Sequence, residues 1–84
     1  MSPDDALATV RAALEASLGV PADQVVPSAT LREDLELDSL DLAELVAGLE
    51  ERTGRPFGTE MLAGVHTVAD VVRLISSLAA DAAP

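Results

Sequence analysis

The run Asp34-Leu35-Glu36-Leu37-Asp38-Ser39-Leu40-Asp41-Leu42-Ala43-Glu44-Leu45 sets one hydroxyl, Ser39, among carboxylates and leucines. A serine hydroxyl becomes a nucleophile only beside a base that is itself held by an orienting group. The single histidine, His66, lies far along the chain beside the start of another helix, with nothing around it that marks a site. It reads as a surface or loop-packing residue. The 15 Asp and Glu residues include no Asp-x-Asp-x-Asp-Gly calcium loop, and the chain has no cysteine. There is no glycine-rich phosphate loop and no Cys or His spacing suited to a metal. The expectation is a chain without catalytic residues and without a metal site. Chemistry at Ser39 would have to be done by another enzyme.

The position of Ser39 follows from the elements around it. Asp38 can cap a helix, with Asp41 inside its first turn. Ser39 then falls on the first turn directly after the cap, where a long loop ends, and faces water. Helix N-termini carry partial positive charge and spare N–H groups, so an anion attached there is tolerated. Capping alone also accounts for Ser, Asp and Glu at a helix start. The local pattern permits a modification of Ser39 without requiring one.

Three main helices position this segment. Ser2 caps a helix over residues 3–18, with Pro3 at its first position and Asp4 and Asp5 in its first turn. Leu7, Val10, Leu14 and Leu18 recur at helical spacing, and Gly19 with Pro21 ends the run. Residues 20–37 read as a long loop pinned to the core by Val20, Val25, Val26, Leu31, Leu35 and Leu37, with a short helical turn at 31–35. Loops of this length are uncommon in compact domains unless they are functional. The second helix covers 39–53, buries Leu42, Leu45, Val46 and Leu49, and stops at Gly54 and Pro56. Gly48 inside it costs about 1 kcal/mol relative to Ala, and close packing is the only reason the sequence offers. One short helix follows at 59–63, carrying Met61 and Leu62. Thr67 caps the last helix, whose inner face is Val68, Val71, Val72, Ile75 and Leu78. Residues 79–84 have little to bury and are expected to fray.

The fold class expected is therefore all-α: a small helical bundle with three main helices, one short helix and a long first loop. The 84 residues make a single domain spanning 1–84. Leu and Ala dominate the apolar supply and favour helix. The formal net charge of −10 repels nucleic-acid phosphates and anionic membrane surfaces. No apolar run approaches the ~20 residues of a membrane span. The acidic N-terminus lacks a signal-peptide pattern, so a cytoplasmic location is the default, and a monomer is expected. Its natural partner is a basic patch on another protein.

The segment around Ser39 resembles the modification motif of acyl carrier proteins, roughly Asp-Leu-Gly-x-Asp-Ser-Leu-Asp with Glu-Leu shortly after. Asp34, Leu35, Asp38, Ser39, Leu40, Asp41, Glu44 and Leu45 match it. The likeness extends to Ser28-Ala29-Thr30-Leu31, to Leu49-Glu50-Glu51-Arg52-Thr53-Gly54 and to Thr67-Val68-Ala69-Asp70-Val71-Val72, and so covers nearly the whole chain. Two positions depart from it: Glu36 stands where the family usually has Gly, and Leu37 replaces a small residue. Glu36 adds charge before the serine and Leu37 packs the loop, which bears on which transferase and synthase the carrier suits.

The resemblance implies that Ser39 is the attachment point of 4'-phosphopantetheine, transferred from coenzyme A by a phosphopantetheinyl transferase. It also implies that the second helix is the recognition surface. Asp38, Leu40, Asp41, Glu44, Ala47 and Glu51 are its candidate contacts, facing synthase or acyl-transfer enzymes with basic docking patches. Asp41 and Glu44 match the motif, whereas Glu50 and Glu51 also read as a solvated face. The function implied is an acyl carrier of a dissociated fatty-acid or polyketide system, not an enzyme. An aminoacyl or peptidyl carrier, or an unmodified acidic adaptor, are the alternatives. Carriers of amino acids usually have a less acidic second helix, so Asp41 and Glu44 weigh against the first of these.

Overall fold

The computed structural model describes residues 2–56 and 58–81, without the side chains at 59 and 78–81. Its first helix, α1 (Pro3–Leu18), starts where the sequence places it. The Asp5 N–H donates to Ser2 Oγ at 3.2 Å. It stops at Gly19, which takes the left-handed conformation at φ 69° and donates its N–H to the Glu15 carbonyl. Helix α2 (Ser39–Thr53) ends the same way at Gly54, with φ 70°. Helix α3 (Val68–Asp81) closes the order. Two 3₁₀ turns interrupt the connections, at Ala22–Gln24 and Thr59–Leu62.

The core is aliphatic. Helix α1 packs on both α2 and α3. It contributes Ala6, Val10, Ala13 and Leu14 against Leu45, Val46 and Leu49 of α2 and Val68, Val71 and Ile75 of α3. Among the described residues no polar or charged side chain is buried. Gly48 now has its reason. A Cβ placed on it would come within 2.9 Å of Ser17 Oγ and 3.7 Å of Ala13 Cβ, so α1 and α2 touch there. Of the last helix's expected inner face, Val72 is half-buried, and the Leu78 side chain lies outside the described residues. The α3 backbone continues to Asp81. Residues 82–84, expected to fray, also lie outside the description.

The first loop is pinned as expected by Val20, Val25, Leu31, Leu35 and Leu37, all buried. Val26 is a correction, being 40% exposed. Val25 already points inward, and successive residues of a non-helical stretch face opposite ways. Residues 31–35 form consecutive turns and not a helix, and the regular piece of the loop is Ala22–Gln24 instead.

The loop is also tied to the start of α3 by an antiparallel bridge between Thr30 and Thr67. The Leu31 N–H donates to the His66 carbonyl, Val68 N–H to Ala29, and Ala69 N–H to Pro27, each at 2.9 Å. Thr30 and Asp34 lock the next turn reciprocally. The Thr30 N–H donates to Asp34 Oδ2 at 2.8 Å, and the Asp34 N–H donates to Thr30 Oγ1 at 2.9 Å.

Thr67 caps α3, accepting from the Asp70 N–H at 3.2 Å. Asp70 Oδ2 answers by accepting from the His66 and Thr67 N–H groups at 2.9 and 3.1 Å. These two backbone donors, ahead of the nearby Arg73 guanidinium, hold the Asp70 carboxyl below its ordinary value of 3.8. A carboxyl depressed in the folded state stabilises the fold above its unfolded value, and that contribution is lost as pH falls through the folded one. The urea midpoint should therefore drop as pH descends from about 3.8. Asp70→Asn should lower the midpoint at neutral pH and flatten this acid limb. An acid limb unchanged in Asp70→Asn would place the effect on other carboxylates.

Candidate functional site

The start of α2 is held by two carboxylates that bond each other's backbone. Asp38 Oδ1 accepts from the Asp41 N–H at 2.8 Å, and Asp41 Oδ2 accepts from the Asp38 N–H at 3.1 Å. This is a capping box with Asp in the place of the usual Glu or Gln. Ser39 is the first residue of the helix so formed and is exposed. Its hydroxyl makes no hydrogen bond among the described residues. The leading N–H groups of the helix beside it have no carbonyl within the helix to bond.

What precedes the cap is equally constrained. Leu37 is buried, and its N–H donates to the Leu31 carbonyl at 2.9 Å, while the Leu35 N–H donates to Thr30 at 3.1 Å. Leu37 thus packs the loop as expected. Between these anchors Glu36 sits at φ 55°, the one described non-glycine residue in the left-handed region. An L side chain costs about 1–2 kcal/mol there, and glycine costs nothing sterically. The position is the one where the resembling motif has Gly, and the backbone shows why. Glu36→Gly should raise stability by about 1 kcal/mol, since relief of the left-handed strain outweighs the extra chain entropy of Gly. A denaturant midpoint that falls on this substitution would contradict the strain.

Ser39 lines a cleft of about 350 Å³ with Arg32, Leu42, Ala43, Leu62 and Ala63. A neighbouring cleft of about 340 Å³ shares Arg32 and Leu42 and is completed by Thr30, Leu31, Glu33, Val65 and His66. His66 therefore lines the adjoining cleft and not the one that holds Ser39. No base is presented to the serine by the residues of its own cleft. Among the described residues no three His, Asp or Glu side chains come together as metal ligands. No described helix is long and apolar enough to cross a membrane.

The surface expected on α2 divides in two. Leu40, Glu44, Ala47 and Glu51 are exposed, and their spacing puts them on one stripe that begins beside Ser39. Leu40 is 68% exposed, the most exposed large apolar side chain among the described residues. Asp38 and Asp41 instead form the cap, and Asp41 is half-buried with one carboxylate oxygen bonded to backbone. Arg32 and the Thr30–Asp34 lock were missed in the sequence. A lock of this kind has a readable spacing, but the approach of Arg32 to Ser39 depends on how the loop folds back.

The arrangement fits a group carried on a tether. The hydroxyl makes no hydrogen bond among the described residues, it stands at a helix N-terminus where an anion is tolerated, and a cleft lined by Leu42, Ala43, Leu62, Ala63 and Arg32 opens beside it. Compared with known proteins, residues 8–75 match a family model described as a phosphopantetheine attachment site. The chain is also similar to an acyl carrier protein of Saccharopolyspora erythraea. The two are 46% identical over 67 residues, which cover 80% of this chain and 70% of that protein.

Proposed function

This chain belongs to the acyl carrier protein family, whose members carry phosphopantetheine and are not catalysts, and on that premise we propose that Ser39 bears the arm and that the protein shuttles acyl groups between enzymes of a dissociated fatty-acid or polyketide synthase. The observation that carries the assignment is the unbonded, exposed Ser39 hydroxyl on a helix start fixed by Asp38 and Asp41. In the transfer, Ser39 Oγ forms a phosphodiester as the pyrophosphate bond of coenzyme A breaks. Its proton passes to a base of the transferase, and the adenosine bisphosphate portion departs. Once attached, the arm supplies a thiol that holds acyl groups as thioesters. The residues of this chain keep the tether's root exposed and oriented.

Docking falls to the stripe of Leu40, Glu44, Ala47 and Glu51, with Asp38 and Asp41 at its head. Leu40 offers an apolar anchor, and the carboxylates attract basic patches on the transferase and synthase enzymes. Exposed ion pairs contribute about 0–1 kcal/mol each, so such docking is weak, fast and salt-sensitive. A monomeric single domain over residues 1–84, working in the cytoplasm, accords with this role.

The test is the intact mass of the protein after incubation with coenzyme A and a broad-specificity transferase, followed by peptide mapping of the modified residue. Gain of one arm at Ser39 is expected, and mapping elsewhere would refute the site. Challenging the loaded protein with acyl transferases and with adenylating enzymes then decides the cargo. Acylation by the former is expected, and loading by the latter alone would make it an aminoacyl or peptidyl carrier.

A further inference from the structure

All five basic residues of the chain are arginines. Three are engaged within the fold. Arg11 Nε donates to the Val25 carbonyl at 3.0 Å, Arg52 Nη2 reaches the Ala12 carbonyl at 3.5 Å, and Arg73 pairs with Asp70. Arg55 lies just beyond the far end of α2. Arg32 is different. It is exposed, its guanidinium has no hydrogen bond or ion pair among the described residues, and it lines the cleft that holds Ser39. Of the motif's carboxylates, Asp34 bonds the Thr30 N–H and Asp38 and Asp41 bond each other's backbone, while the exposed Glu36 lines neither cleft. Glu33 shares only the neighbouring cleft with Arg32. In a chain of net charge −10, Arg32 is the one cationic residue that lines this cleft together with the serine.

We infer that the Arg32 guanidinium binds the phosphodiester that joins the arm to Ser39, and so lays the arm along the cleft floor of Leu42, Ala43, Leu62 and Ala63. This rests on the proposed attachment at Ser39. A phosphodiester has two free oxygens sharing one negative charge, which a planar guanidinium can meet with two parallel N–H groups. With Ser39 Oγ as one ester oxygen, the phosphorus is one bond from a cleft-lining atom. The spare N–H groups of α2 and the Arg32 side chain of the shared cleft are then both available to it. Arg32 is a positioning residue. It biases the arm between a docked and an extended state, and because it is exposed the bias is small, as a shuttle requires.

The experiment compares wild type, R32Q, R32K and the control R55Q, each carrying the arm, by the ³¹P resonance of the phosphodiester. Attachment at Ser39 is verified first by peptide mass. In R32Q the resonance should move toward that of a free phosphodiester, with the docked fraction falling about two- to five-fold. R32K should recover part of it, R55Q should match wild type, and added salt should move wild type the same way. The effect should be equal for unacylated, acetyl-loaded and malonyl-loaded arms. An effect confined to the malonyl arm would assign Arg32 to a cargo carboxylate and overturn the inference. An arm at Ser39 with the same resonance in R32Q and wild type overturns it alone, whereas an arm mapped elsewhere removes the Ser39 assignment as well. If R32Q resists loading, the wild-type Arg32 Nε–H resonance decides. A shift upon loading supports the contact, and an unmoved signal overturns it.

Discussion

Ser39→Ala is expected to abolish arm attachment completely while leaving the fold and its melting temperature unchanged. Both halves follow from the geometry. The hydroxyl is the only atom that the substitution removes, and it bonds nothing among the described residues. Ala at the first helical position costs no propensity, and the Asp38–Asp41 cap remains in place. Among the described residues lining the cleft, no second hydroxyl accompanies Ser39. Intact mass after incubation with coenzyme A and a transferase should show no gain, and thermal unfolding should overlay on wild type. Asp38→Ala makes the contrast. Losing the cap should cost about 1 kcal/mol, because the Asp41 N–H is left without its acceptor. A Ser39→Ala protein that still gains the arm would place the attachment site elsewhere.

The largest effect on stability is expected from the opposite side of the same helix. Leu49 has no solvent exposure and belongs to the core that α2 shares with α1. Truncation to Ala removes its transfer energy and leaves a cavity, at a cost of about 2–5 kcal/mol. Domains are stable by only about 5–15 kcal/mol, and small ones fall toward the lower end. Leu49→Ala should therefore lower the urea midpoint severely, with an appreciable unfolded population at physiological temperature. Leu40→Ala on the exposed stripe should change stability by no more than about 0.5 kcal/mol while weakening partner docking. If Leu49→Ala melted like wild type, the packing of α2 on α1 would be wrong.

The helix limits were readable because the stop and start residues have local causes. Ser2 with Pro3, Asp38, and the glycines at 19 and 54 act through their own backbones, and both of the first two helices fall on the residues expected. Asp38 as a cap was readable for the same reason. Asp41 was legible only in part. Its place in the first turn was clear, but the return of its carboxylate to the Asp38 N–H competes with the outward role that the motif suggested. The family could be recognised from matched residues spread along the chain. The Thr30–Thr67 bridge could not be read, because two distant and irregular segments meet there with no periodicity to announce them. Arg32 escaped for a related reason. Its significance comes from the cleft that it shares with Ser39, and that cleft exists only after the loop has turned back on α2 and the second 3₁₀ turn. Glu36 was noticed as a departure in chemistry, whereas its structural meaning is a backbone angle.

The bridge between Thr30 and Thr67 also sets an order of events during folding. It joins the loop before the serine to the residue that starts the last helix, so the intervening chain must be gathered before the two threonines can meet. Contacts between distant segments bear their closure entropy before they return any stabilisation, and so they form late. Helix α2 can begin from its own cap, and the turns leading into it hold local bonds of their own, but the loop is tied to the rest of the fold only when α3 has arrived.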